Sequence, residues 1–112
     1  MTFEAPLLIR RIGTESPGPF KEEVAKNVSL AGVYFETEEG KRYTLDDIVM
    51  VSVSIPETHR SREFPFTRLA GRSRVVRVES LSDAGASPRK RFGIALEFGD
   101  DVTALTAIPA RS

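Results

Sequence analysis

Apolar and polar side chains alternate with a period of two over several stretches of the chain, the spacing of a strand that buries one face. Val49, Val51, Val53 and Ile55 form the cleanest such face, with Ser52 and Ser54 opposite and Pro56 ending the run. Phe92, Ile94, Leu96 and Phe98 form another, opposite Gly93, Ala95 and Glu97, where the two small residues leave room for a neighbouring element. Val33, Phe35 and Thr37 alternate with Tyr34 and Glu36. From Val24 to Leu30 the pattern places Val24, Val28 and Leu30 on one face and Ala25, Asn27 and Ser29 on the other. Asn27 and Ser29 are therefore expected to project together, away from the core. Leu7 to Ile12 is β-compatible, although Arg10 and Arg11 leave its inward face undefined. A longer strand is expected from Phe66 to about Glu79. Its alternation slips between Ala70-Arg72-Arg74 and Val75-Val76, and Gly71 predicts a bulge or bend there.

Between these runs, glycine, proline and polar residues mark loops at Gly13–Pro19, Glu57–Pro65 and Ser82–Lys90 and a turn at Glu38–Lys41. Thr44 to Asp47 predicts a short helical turn that Thr44 caps and Asp47 closes. Asp100 or Asp101 is expected to cap a short helix carrying Val102, Leu105 and Ile108 and stopped by Pro109. Most connections are too short for crossover helices, so pairing is antiparallel, and closure of the sheet would hide its edges. The pattern predicts an all-β fold, a six-stranded antiparallel β-barrel with a short C-terminal helical turn, in one domain spanning residues 1–112.

Charge narrows the partners. Sixteen Lys and Arg balance sixteen Asp and Glu, so no global field draws nucleic acid or an anionic membrane, and only the clusters Arg68–Arg77 and Arg89–Arg91 are locally basic. Arg68, Arg72 and Arg74 share one parity and are expected on a solvated face, paired with acids such as Glu36, Glu79 or Glu97. Tyr34 stands without an aromatic ladder for stacking bases, so no DNA or RNA partner is expected. The absence of cysteine removes disulfides, thiolate metal sites and cysteine nucleophiles, and fits a reducing, cytoplasmic setting. No apolar run approaches the ~18 residues of a membrane span, so membrane insertion is not expected. With one histidine, His59, in a polar loop, no telling carboxylate pair and no phosphate loop, the chain predicts binding rather than catalysis and no metal or cofactor.

The remaining chemistry sits in Asn27-Val28-Ser29-Leu30-Ala31-Gly32. Asn27 offers amide donors and a carbonyl acceptor, Ser29 a hydroxyl, and Gly32 a backbone that a turn or a ligand can approach closely. An ordinary barrel turn uses the same residue types for its own hydrogen bonds. The spacing resembles the Asp/Asn-x-Ser-x-x-Gly signature of PilZ domains, the bacterial receptors for cyclic di-GMP. Two further stretches are similar to that family: Gly71-Arg72-Ser73-Arg74-Val75-Val76-Arg77, like its long strand, and Phe92-Gly93-Ile94-Ala95-Leu96-Glu97-Phe98, like its closing strand. The resemblance spans residues 7 to about 100 and implies a compact antiparallel barrel in a signalling system, binding cyclic di-GMP and relaying to a protein partner. It implies Asn27, Ser29 and Gly32 as ligand residues. The family's second signature, an Arg-x-x-x-Arg pair that answers the ligand's phosphates, has no counterpart: its usual interval before Asn27 falls on Met1–Ala5, which holds no arginine. Arg10 and Arg11 are the remaining candidates for phosphate partners. The alternative expectation is a divergent barrel that has lost the nucleotide and serves as a protein-interaction adaptor in motility or pilus systems.

Overall fold

The computed structural model describes residues 4–12, 20–60, 65–81 and 91–106. Among these, seven strands form: β1 (Ala5–Arg11), β2 (Lys21–Val28), β3 (Gly32–Thr37), β4 (Ile48–Ser54), β5 (Phe66–Leu81), β6 (Arg91–Phe98) and β7 (Thr103–Thr106). All pairings are antiparallel, in the order β4-β1-β2-β3-β6-β5, and β5 pairs with β4 to close the circuit. The result is the expected closed six-stranded barrel. Alternate residues of each strand fill its interior, among them Leu7, Ile9, Phe35, Val49, Val51, Val53, Leu69, Ile94 and Leu96. Among the described residues no helix is long and apolar enough to cross a membrane.

The long strand β5 makes closure possible. Its first half pairs with β4 and its second half with β6. Gly71 stands in this strand with φ of 154°, a conformation that a Cβ would strain, and a Cβ there would also lie 2.6 Å from Val102 Cα. A bulge between Val75 and Arg77 then shifts the register. Leu69, Ser73 and Val75 point inward before the bulge and Val78 does so after it, the slip that the sequence pattern predicts.

Three expectations change. In β2 a second bulge lies between Ala25 and Asn27. The extra residue, Lys26, switches the parity, so Ala25 and Val28 both face inward while Val24 and Leu30 are exposed. The C-terminal helix is instead β7, paired with Phe66–Ala70 of β5. That half of β5 lies beyond the reach of β6, and its unpaired amides and carbonyls recruit the Thr-Ala-Leu-Thr segment more strongly than a one-turn helix would hold it. Thr44–Asp47 is a turn rather than a helix, closed by Asp47 N donating to Thr44 O at 3.0 Å and Thr44 N donating to Asp47 Oδ2 at 3.1 Å. The loops at Gly13–Pro19 and Ser82–Lys90, together with Ile108 and Pro109, lie outside the described residues.

Candidate functional site

Ser29 to Gly32 connects β2 to β3, and its residues are largely occupied with each other. Ser29 Oγ accepts hydrogen bonds from Ala31 N at 3.1 Å and Gly32 N at 3.2 Å, while Ser29 N donates to Gly32 O at 2.9 Å. The hydroxyl thus stands in for a backbone acceptor inside the turn. Gly32 lies opposite Glu97 of β6. A Cβ built on it would sit 2.0 Å from Leu96 O, so its missing side chain admits a neighbouring strand. Asn27 is exposed, and its amide makes no hydrogen bond among the described residues.

The register extends the outer face around Asn27. Asn27 lies opposite Tyr34 of β3, Tyr34 opposite Ala95 of β6, and Ala95 opposite Arg77 of β5. The Arg77 guanidinium lies 6.0 Å from the centroid of the Tyr34 ring, at the outer limit of a cation–π contact. Between them Ala95 is small, and Gly93 leaves space that the Tyr34 hydroxyl fills. Tyr34 donates to Glu36 Oε2 at 3.5 Å. Burial of the phenol, reinforced by the Glu36 and Glu79 carboxylates, pushes its pKa above the usual value and keeps it neutral. Sequence reasoning did not assemble Tyr34 and Arg77 with Asn27. The outward parity of the small β6 residues was the available signal, but the bulge before Arg77 hides which strand positions meet.

Arg10 and Arg11 stand elsewhere. Ile9 pairs with Lys21 at the start of β2, whereas Asn27 lies near its end. At about 3.3 Å per residue that separates them from Asn27 by roughly 20 Å. Arg10 lies over the Phe20 ring at 4.8 Å, and Arg11 pairs with Asp47 at 3.6 Å. Two arginines of β5 are also ion-paired: Arg74 with Glu97 at 3.2 Å, as expected, and Arg72 with Asp101 at 3.8 Å. Glu36, by contrast, pairs with Lys26 at 3.6 Å and Arg91 at 3.1 Å. The structure therefore keeps Asn27, Ser29 and Gly32 adjacent but brings neither Arg10 nor Arg11 to them.

A second polar cluster occupies the barrel end where β2 starts and β3 finishes. Glu23 is turned towards the interior, hydrogen-bonded to Thr37, with one carboxylate oxygen buried and unpartnered. Beside it the Tyr43 ring meets Phe35 edge-on at 5.4 Å. Burial, with the nearby Glu23 carboxylate, pushes the Tyr43 pKa up to about 12. Burial likewise raises Glu23 above the ordinary 4.5, against the opposing pull of Thr37, Lys21 and Arg42. The folded barrel therefore holds this proton more tightly than the unfolded chain. The resulting stability is present below the ordinary carboxylate value and is lost as pH rises through the folded one. Glu23→Gln is expected to flatten that slope and to raise the melting temperature at neutral pH by removing the partly buried charge. Thermal melts of both proteins between pH 4.5 and neutrality check this, and an unchanged slope refutes it.

Among the described residues no group of three or more His, Cys, Asp or Glu side chains could hold a metal ion. No protein-family model, curated protein or solved structure matches the chain.

Proposed function

We propose that this chain is a PilZ-like barrel acting as a protein-interaction adaptor, with the nucleotide site of its motif given over to structure. One observation carries the reading: the Ser29 hydroxyl and the open side of Gly32 are both spent on the β2–β3 turn and its contact with β6. Cyclic di-GMP brings two phosphates. Arg10 and Arg11 are remote from the motif, and Asn27 supplies an amide with no charge to answer them. An adaptor of this kind would act in the bacterial cytoplasm, in a motility or pilus system.

Calorimetric titration with cyclic di-GMP at high micromolar concentration is expected to give no heat, and the amide resonances from Asn27 to Gly32 are expected to stay in place. A second reading, weak cyclic di-GMP binding, draws on the Asn27–Tyr34–Ala95–Arg77 row, which puts an amide, a ring and a guanidinium on one face. Saturable heat that weakens about tenfold in both Asn27→Ala and Arg77→Ala replaces the adaptor reading with this one. Both substitutions are at exposed positions and are expected to change stability by less than about 0.5 kcal/mol.

A further inference from the structure

Closure of the barrel gathers basic side chains on one side of it. The register aligns the outer positions of β1, β4 and the first half of β5 in rows: Arg10–Met50–Arg72, Leu8–Ser52–Ala70 and, on β4 and β5, Ser54–Arg68. No outer position of these three stretches holds a carboxylate, although acids and bases balance over the whole chain. The acids stand at the border, Glu22 opposite Leu8 on β2 and Asp101 after β6. Charge is therefore segregated around the barrel, and this side is positive.

The charges differ in how far they are already answered. Arg74, opposite Ile48, is held by Glu97 at 3.2 Å and adds nothing to the face. Arg68 is exposed and makes no ion pair or hydrogen bond among the described residues. Arg10 lies over the Phe20 ring at 4.8 Å, meets no carboxylate among the described residues, and has its Nε buried without an acceptor. Arg72 reaches Asp101 only at 3.8 Å, with both side chains more than half exposed, and water screens such a pair. Arg68 and Arg72 are four residues apart on one strand, roughly 13 Å, and Arg10 stands two strands from Arg72, about 10 Å. Between the three lie Met50, Ser52 and Ala70.

We propose that this face is where the adaptor meets its partner, and that it takes an extended acidic segment of that protein. The inference rests on the adaptor reading and names the chemistry of the partner. Side chains on one side of an extended chain repeat every ~6.7 Å, so two carboxylates four residues apart match the Arg68–Arg72 separation. Each guanidinium offers paired donors to a carboxylate, and Ser52 and Ser54 add hydroxyl donors between them. No aromatic side chain stands at these outer positions for a base to stack on, which favours a protein segment over a nucleic-acid strand.

Fluorescence anisotropy of a labelled peptide of about ten residues alternating Glu and Ala, ~33 Å when extended, tests this with the full chain. Saturable binding with Kd near 100 μM is expected at low ionic strength, and its loss at ~0.5 M salt. Arg68→Glu is expected to weaken binding about tenfold and Arg72→Gln about threefold, both with an unchanged melting profile. Lys26→Glu, a matching charge reversal at an exposed position of β2, is expected to leave the affinity unchanged. Asp101→Asn keeps the oxygen that accepts Arg72 N at 3.1 Å while removing the competing charge, and is expected to tighten binding about threefold. Absence of binding overturns the proposal, as does an equal loss in Lys26→Glu or a loss in Asp101→Asn. A single-stranded DNA of equal charge that binds as tightly overturns the assignment to a protein segment. Failure here is distinct from failure of the adaptor reading: a silent peptide with silent cyclic di-GMP strikes only this face, whereas saturable cyclic di-GMP heat strikes the adaptor reading and the partner with it.

Discussion

Gly32→Ala is expected to remove about 3 kcal/mol of stability and to lower the melting temperature by roughly 10–20 °C. The new Cβ would sit 2.0 Å from Leu96 O and 3.1 Å from Leu96 C. The obstacle is backbone on both counts, so no side chain can rotate out of the way. Relief requires β3 to move from β6 or the Ser29–Gly32 turn to open, and either breaks ladder hydrogen bonds next to the buried Val33 and Leu96. Asn27→Ala, at an exposed side chain of the same motif, is the contrasting case with almost no cost. Thermal unfolding followed by circular dichroism separates the two roles of this glycine. A Gly32→Ala protein that melts within about 3 °C of the native chain would mean that β6 yields easily and that the glycine serves a ligand instead.

That contrast marks what the sequence can and cannot convey about a motif. Asn27, Ser29 and Gly32 are conspicuous by residue type and spacing, and their placement at the β2–β3 connection follows from local alternation. Their use depends on Leu96, which is remote in sequence and reaches Gly32 only through the β3–β6 register. Arg10 and Arg11 illustrate the same dependence. Their distance along the chain from Asn27 is modest, but antiparallel pairing of Ile9 with Lys21 sends them to the far end of β2.

Alternation reads well where a strand is regular, as in β4 and, apart from Gly93, which the Tyr34 hydroxyl covers on the outer face, in β6. It misleads where a bulge inserts a residue. Lys26 reverses the faces of Val24 and Ala25, and nothing in Glu-Glu-Val-Ala-Lys-Asn-Val announces that reversal. In β5 a bulge was legible because two adjacent valines cannot both satisfy a period of two. The C-terminal segment is ambiguous for a different reason. Its apolar spacing fits one helical turn as well as a short strand, and the choice was made by the unpaired half of β5.

Phe35→Ala is expected to cost about 3–5 kcal/mol, a large part of the 5–15 kcal/mol that a domain of ordinary stability has. Phe35 is fully buried on β3, the strand that presents Tyr34 on the outer face. Its ring also meets Tyr43 edge-on. Truncation leaves a cavity between Tyr43 and the surrounding core, and a closed circuit of paired strands cannot collapse far to fill it. The effect reaches Glu23 through Tyr43. Burial is the main cause of the raised Glu23 pKa, and water admitted beside Tyr43 relieves it. Phe35→Ala should therefore lower the melting temperature and also weaken the loss of stability as pH rises above the ordinary carboxylate range. In the Glu23→Gln background the pH effect of Phe35→Ala should vanish while its stability cost remains. Denaturant unfolding of the single and double variants at acidic and neutral pH measures both quantities. An equal pH slope in the native chain and Phe35→Ala would sever the link between the aromatic core and the carboxyl at the barrel end.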